Sequence, residues 1–162
     1  MAELTNLETK LGEVIGLAMA AQAATERVEK LTKDPKLVAA LRKMRKEAAQ
    51  AEKDGTAVAS SLNGKKSKIL SEARTVKTKG ATMMKTYLER DSDELDGFEF
   101  LTMAEAGEVG HWSVLQELNK QARHAGVRQL VGTHLPIQKR HLKDVMAASL
   151  QLAAEEDANA AA

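Results

Sequence analysis

The 162-residue chain contains no cysteine, two prolines and four aromatic residues, Tyr87, Phe98, Phe100 and Trp112. The lack of cysteine excludes disulfides, thiolate nucleophiles, cysteine-bound zinc and cysteine-ligated iron–sulfur clusters. So few aromatics argue against a β-sandwich or barrel, whose strands draw on aromatic and β-branched residues. They also leave no stacking platform for single-stranded nucleic acid. No apolar run reaches the roughly 18–20 residues needed to cross a bilayer. The opening MAELTNLETK has neither the basic nor the apolar region of a signal peptide. A Gly-x-Ser-x-Gly elbow is missing, as is a glycine-rich phosphate loop before a Lys-Ser/Thr pair. A soluble, cytoplasmic protein with no membrane partner is the expectation.

Hydrophobic residues make up 43% of the chain and charged residues 29%, enough for one domain with a real core. The charge is unevenly spread. Residues 27–85 hold 16 basic and 6 acidic groups, net +10, while 86–162 hold 7 and 13, net −6. A basic middle segment of this kind is ordinarily the solvated face of helices, but it can also meet nucleic acid or an acidic protein.

Apolar spacing is helical almost throughout. Five helices are predicted, over 4–31, 35–62, 65–90, 94–124 and 127–153, each roughly 35–40 Å long at 1.5 Å per residue. Thr5 and Glu8 form a capping box, and Asp34-Pro35 stops one helix and starts the next. Asn63-Gly64 closes the second helix, and Gly126 closes the fourth. His124 then lies near a helix C-terminus, where the helix dipole favours a cation. Trp112 and the Met83-Met84 pair are expected in the core. Short connections make sequential helices antiparallel. The architecture predicted is all-α: two antiparallel hairpins joined by a long crossover helix, one domain over 1–154 with a frayed tail at 155–162.

The informative feature is where polar residues fall. The apolar line of the fourth helix runs Phe98, Leu101, Glu105, Glu108, Trp112, Leu115, and that of the fifth runs Val131, His134, Gln138, His141, Val145, Ala148, Leu152. A buried carboxylate needs a cation, a hydrogen-bond network or water. With the turn near 125–126, Glu108 and His141 come level, Glu105 lies one turn beyond, and His134 sits too far along to join them. Glu108 and His111 share a face at i, i+3. Glu105, Glu108, His111 and His141 thus form a candidate oxygen-and-imidazole ligand set for iron, manganese or zinc. Salt bridges at a helix boundary or a dimer interface are the plainer explanation of the same acids. On the first pair of helices, Glu13 shares a stripe with Leu17 and Ala20, and Glu47 lies one turn from Met44 and Ala51.

A carboxylate on one helix followed by Glu-x-x-His on the next, repeated twice, resembles the ligand plan of ferritin-like di-iron bundles. The segments AEAGEVGHWSVL at 104–115 and PIQKRHLKDV at 136–145 are similar to the last two core helices of small bacterial ferritin-like stress proteins. The resemblance implies an iron-handling or stress-related protein, with Glu13, Glu47, Glu105 and His141 as ligands and Glu108 and His111 as supplements. The chain departs from that plan at Gln50 and Gln138, where the family carries His and Glu. Amides are weaker metal ligands than imidazole or carboxylate. The expectation is a metal-binding protein with an incomplete di-iron-type site. The alternative is a non-catalytic helical binding or scaffold protein that uses the basic 27–85 face. Long amphipathic helices also make a homodimer an expected partner state.

Overall fold

The computed structural model describes residues 3–161, and the described residues contain five α-helices and no strand. Helix α1 spans Asn6–Glu29 and begins with a reciprocal cap. Thr5 Oγ1 accepts from Glu8 N–H at 3.2 Å, and the Glu8 carboxylate accepts from Thr5 N–H at 2.7 Å. Helix α2, Pro35–Ser60, is capped by Asp34, which accepts from Lys36 N–H at 2.8 Å. Pro35 takes a first-turn position whose N–H would have had no helical partner. Helix α3, Lys66–Tyr87, follows Asn63 and Gly64, both at positive φ. Helix α4, Glu94–Ala122, opens on a second reciprocal cap between Asp93 and Asp96. Helix α5 spans Ala125–Glu155.

The α4–α5 connection lies two residues earlier than the sequence suggests, at 123–124. Gly126 does not end α4; it lies inside α5. Arg123 takes the left-handed conformation at φ 54°. The buried Asn119 amide bonds both ways to His124: its Nδ2 donates to the carbonyl at 3.1 Å and its Oδ1 accepts from the N–H at 3.0 Å. That pair of bonds holds the turn without a glycine. His124 consequently caps the N-terminus of α5, its Nδ1 accepting from Val127 N–H at 3.2 Å, rather than serving as a cation at the end of α4.

Helix α1 packs on α2, α3 and α4; α4 packs along α5; α2 touches α5; and α3 barely meets α4. The apolar lines of α4 and α5 are buried at every position named above. Helix α3 is different. Only Ile69 and Ala73 are buried on it, and Met83 and Tyr87 are 44% and 55% exposed. Met83 is therefore not core, although Met84 is half-buried beside the core. Because α3 rests chiefly on one helix, its distal turns have no second surface to bury against. Where it does rest, the backbones come close. A Cβ at Gly12 would lie 2.8 Å from the Ile69 carbonyl oxygen, and one at Gly16 would run into that of Ala73.

Two apolar clusters result. One gathers Leu11, Val14, Ile15, Ile69, Trp112, Leu115 and Leu130. The other gathers Val28, Leu41, Met44, Phe98, Leu101, Val145 and Leu152. In α4 and α5 the stretches between them carry buried Glu105, Glu108, Gln138 and His141.

Candidate functional site

A polar layer divides the core, built from α2, α4 and α5. His141 is its centre, with 3% of its side chain exposed. Its Nε2 lies 2.5 Å from Glu47 Oε2, and its Nδ1 lies 3.5 Å from Glu105 Oε2. Arg140 Nη2 donates to the same Glu47 oxygen at 2.5 Å, and Lys43 Nζ stands 4.0 Å from the other. One turn along, Gln138 Nε2 donates to Glu108 Oε2 at 2.9 Å. The next turn places buried His134 against Asp54 at 2.8 Å, with its ring 5.6 Å from the Trp112 ring.

The observed cross-pairing is Glu105 with His141 and Glu108 with Gln138, not Glu108 with His141. Each observed pair is centred on residue 123, where the chain turns. A turn placed later along the chain exchanges the partner of His141 for an acid three residues away, close to one helical turn.

Four of the six candidate ligands therefore converge: Glu47, Glu105, Glu108 and His141. Glu13 and His111 do not join them. His111 has 43% of its side chain exposed, and its Nδ1 lies 3.1 Å from both Glu13 Oε2 and Lys10 Nζ. Glu13 is paired with Lys10 as well. A lysine ammonium already supplies the cation at that edge of the α1–α4 contact. Gln50 is exposed and donates to Asp54 at 2.7 Å, outside the layer. The sequence reading left His134 out and missed Asp54 and Arg140 altogether. His134 had a signal, the i, i+4, i+7 spacing to Gln138 and His141. Asp54 and Arg140 had none, because only the packing of α2 on α5 brings them to their partners.

The electrostatics follow from burial and neighbours. Burial by itself would lower the His141 pKa, but bonding to and charge from Glu105, then Glu47, outweigh it and raise it. Burial raises the Glu47 pKa less than Arg140 and His141 lower it, so the net shift is downward. Burial, then the charge of Glu105, pushes Glu108 well above the ordinary carboxylate range. The raised His141 favours its imidazolium form beside Glu47 and Glu105, and the raised Glu108 favours its neutral form. Glu105 Oε2, Gln138 Oε1 and Trp112 Nε1 are buried and take no hydrogen bond among the described residues.

Among the described residues, no three His, Asp or Glu side chains stand as a group able to hold a metal ion. The donor set agrees with that. Both nitrogens of His141 face carboxylates, Gln138 offers an amide, and Glu13 is engaged elsewhere. These residues do not fit a di-iron centre. No helix of the described residues is long and apolar enough to cross a membrane. Compared with protein-family models, curated proteins and solved structures, the chain matches none.

Proposed function

We propose that the chain is a ferritin-like bundle in which a charge network replaces the metal pair, and that it works as a non-catalytic binding protein. The observation that carries this reading is the buried His141 held between Glu47 and Glu105. Its raised pKa favours a cation where acids from two helices converge, which lowers the electrostatic demand for a metal. The packing supports the ferritin-like part. Gln22 meets Glu52 and Glu29 meets Arg42, so α1 and α2 run in opposite directions. Glu108 meets Gln138 and Thr102 meets Ser149, so α4 and α5 do the same. Helix α3 supplies the crossover between the two pairs.

A second reading rests on a different observation. Glu105 Oε2 is buried with only the long 3.5 Å approach of His141 Nδ1, next to Glu108, whose pKa burial and the charge of Glu105 raise. Ionisation of Glu108 and loss of the His141 contact would free two carboxylates and an imidazole for one iron, manganese or zinc ion. In that case the protein handles metal, as an iron-binding stress protein would.

Metal content decides between them. The untagged chain is loaded anaerobically with Fe(II), Mn(II) or Zn(II), desalted and measured by inductively coupled plasma mass spectrometry and thermal unfolding. The first reading expects substoichiometric metal and an unchanged melting temperature. Near-stoichiometric metal that is lost in Glu105→Ala/His141→Ala overturns it and establishes the second.

A further inference from the structure

The poor contact between α3 and α4 leaves a cleft of about 220 Å³, floored by α1. Its floor is Ala20, Ala21 and Ala24, side chains too small to fill it. Met83 of α3 and Met103 of α4 line it and are 44% and 37% exposed, so they mark its mouth. Glu105 and Glu108, 2% and 3% exposed, mark its depth. At about 30 Å³ for each water-sized group, the cleft has room for about seven non-hydrogen atoms.

We propose that this cleft binds a small organic ammonium ion, a primary alkylamine with an apolar chain of about six carbons, with its head against Glu105 and Glu108. The inference rests on the metal-independent reading of the polar layer, since a metal ion would claim the same two acids. The apolar floor and the two methionines select a hydrocarbon chain. The acids at the inner end select a cation, because an ammonium brings three N–H donors to carboxylates that have few. Glu105 Oε2 has only the long 3.5 Å approach of His141 Nδ1, and Glu108 receives one hydrogen bond from Gln138.

The groups facing Glu108 and Glu105 are His141 on α5 and, through it, Glu47 on α2 with Arg140 and Lys43; His111 lines the cleft from α4. The ammonium binds through hydrogen bonds and charge, and no covalent bond changes.

The test uses isothermal titration calorimetry on the full chain, freed of metal with a chelator, with n-hexylammonium as the probe. The proposal expects saturable one-site binding. It also expects affinity at least tenfold above that for 1-hexanol, with hexanoate weaker still. Gly107→Leu blocks the cleft without disturbing the fold, because a Cβ at Gly107 meets nothing within 4 Å. It should weaken binding at least tenfold and leave thermal unfolding unchanged. Glu108→Gln should weaken binding similarly.

Equal affinity for 1-hexanol, or undiminished binding by Gly107→Leu, overturns the proposal. So does a wild-type dimer that Gly107→Leu converts to a monomer while hexylammonium gives no heat; a second copy would then be the occupant. If hexylammonium fails to bind and the chain also takes up no metal, the ligand class is wrong and the metal-independent reading stands. If hexylammonium fails and stoichiometric metal binds, both fall together.

Discussion

The α1–α3 seam and the α2–α4–α5 layer are both interior, but they are made of opposite materials. At the seam, Gly12 and Gly16 let α1 approach the backbone of α3 so closely that no side chain fits between them. In the layer, Glu47, Glu105, Glu108, Gln138 and His141 hold three helices through charge and hydrogen bonds. The seam gains from dispersion and apolar burial, which tolerate no added volume. The layer has to offset the desolvation of five polar groups, and an apolar equivalent of similar volume would often be as stable or more so.

The sharpest way to break this comparison is to remove one member of each region. His141→Ala leaves Glu47 and Glu105 facing each other without their shared cation. The expected loss is about 3–5 kcal/mol in urea unfolding at neutral pH. A loss below 1 kcal/mol would mean that the imidazolium does not hold the layer. Gly16→Ala places a methyl group into the Ala73 carbonyl and should cost about 1–3 kcal/mol, with no change in the pH dependence of stability. A neutral effect would show that the seam has slack.

The smallest change is the most discriminating. Glu108→Gln keeps the shape and removes the ionisable proton. The raised pKa of Glu108 means that folding favours its neutral form, so its contribution falls as pH rises above the ordinary carboxylate range. His141, also raised, contributes fully below its unfolded value and loses that contribution as pH rises through its folded one. Glu47, lowered, contributes above its unfolded value and loses that contribution as pH falls through its folded one. Wild-type stability should therefore decline on both the acid and the alkaline side. Glu108→Gln should flatten the alkaline decline and raise stability there, read as melting temperature against pH. An unchanged alkaline limb would mean that Glu108 is not neutral in the fold.

Much of this was legible from side-chain spacing. A 3.6-residue period places Glu105 and Glu108, or His134, Gln138 and His141, on the same face as leucines and valines, and a face that is mostly apolar gets buried whatever lies opposite. The caps at Thr5, Asp34 and their partners were legible for the same reason, being bonds within four residues. The α4–α5 register was not legible. It depends on Arg123 adopting a left-handed conformation that an arginine shows no sign of in sequence, with Asn119 bonded across the turn to His124. A displacement of two or three residues there moved His141 from Glu105 to Glu108. The fate of α3 was also hidden, because its apolar line continues past Val76 to Met83 and Tyr87 after the neighbouring surface has run out.

The chain by itself determined five helices, the caps at Thr5 and Asp34, the burial of an acid pair and an imidazole line, and the thinness of any di-iron plan that has glutamine at two positions. These are properties of local bonds and of helical period, which act within one element. The tertiary structure alone decided which acid meets His141, that Arg140 and Lys10 neutralise Glu47 and Glu13, and that a cleft opens between α3 and α4 above the buried pair. Those outcomes depend on how rigid rods with fixed side chains slide and rotate against one another, and a shift of one turn costs little within a helix but exchanges every partner across it.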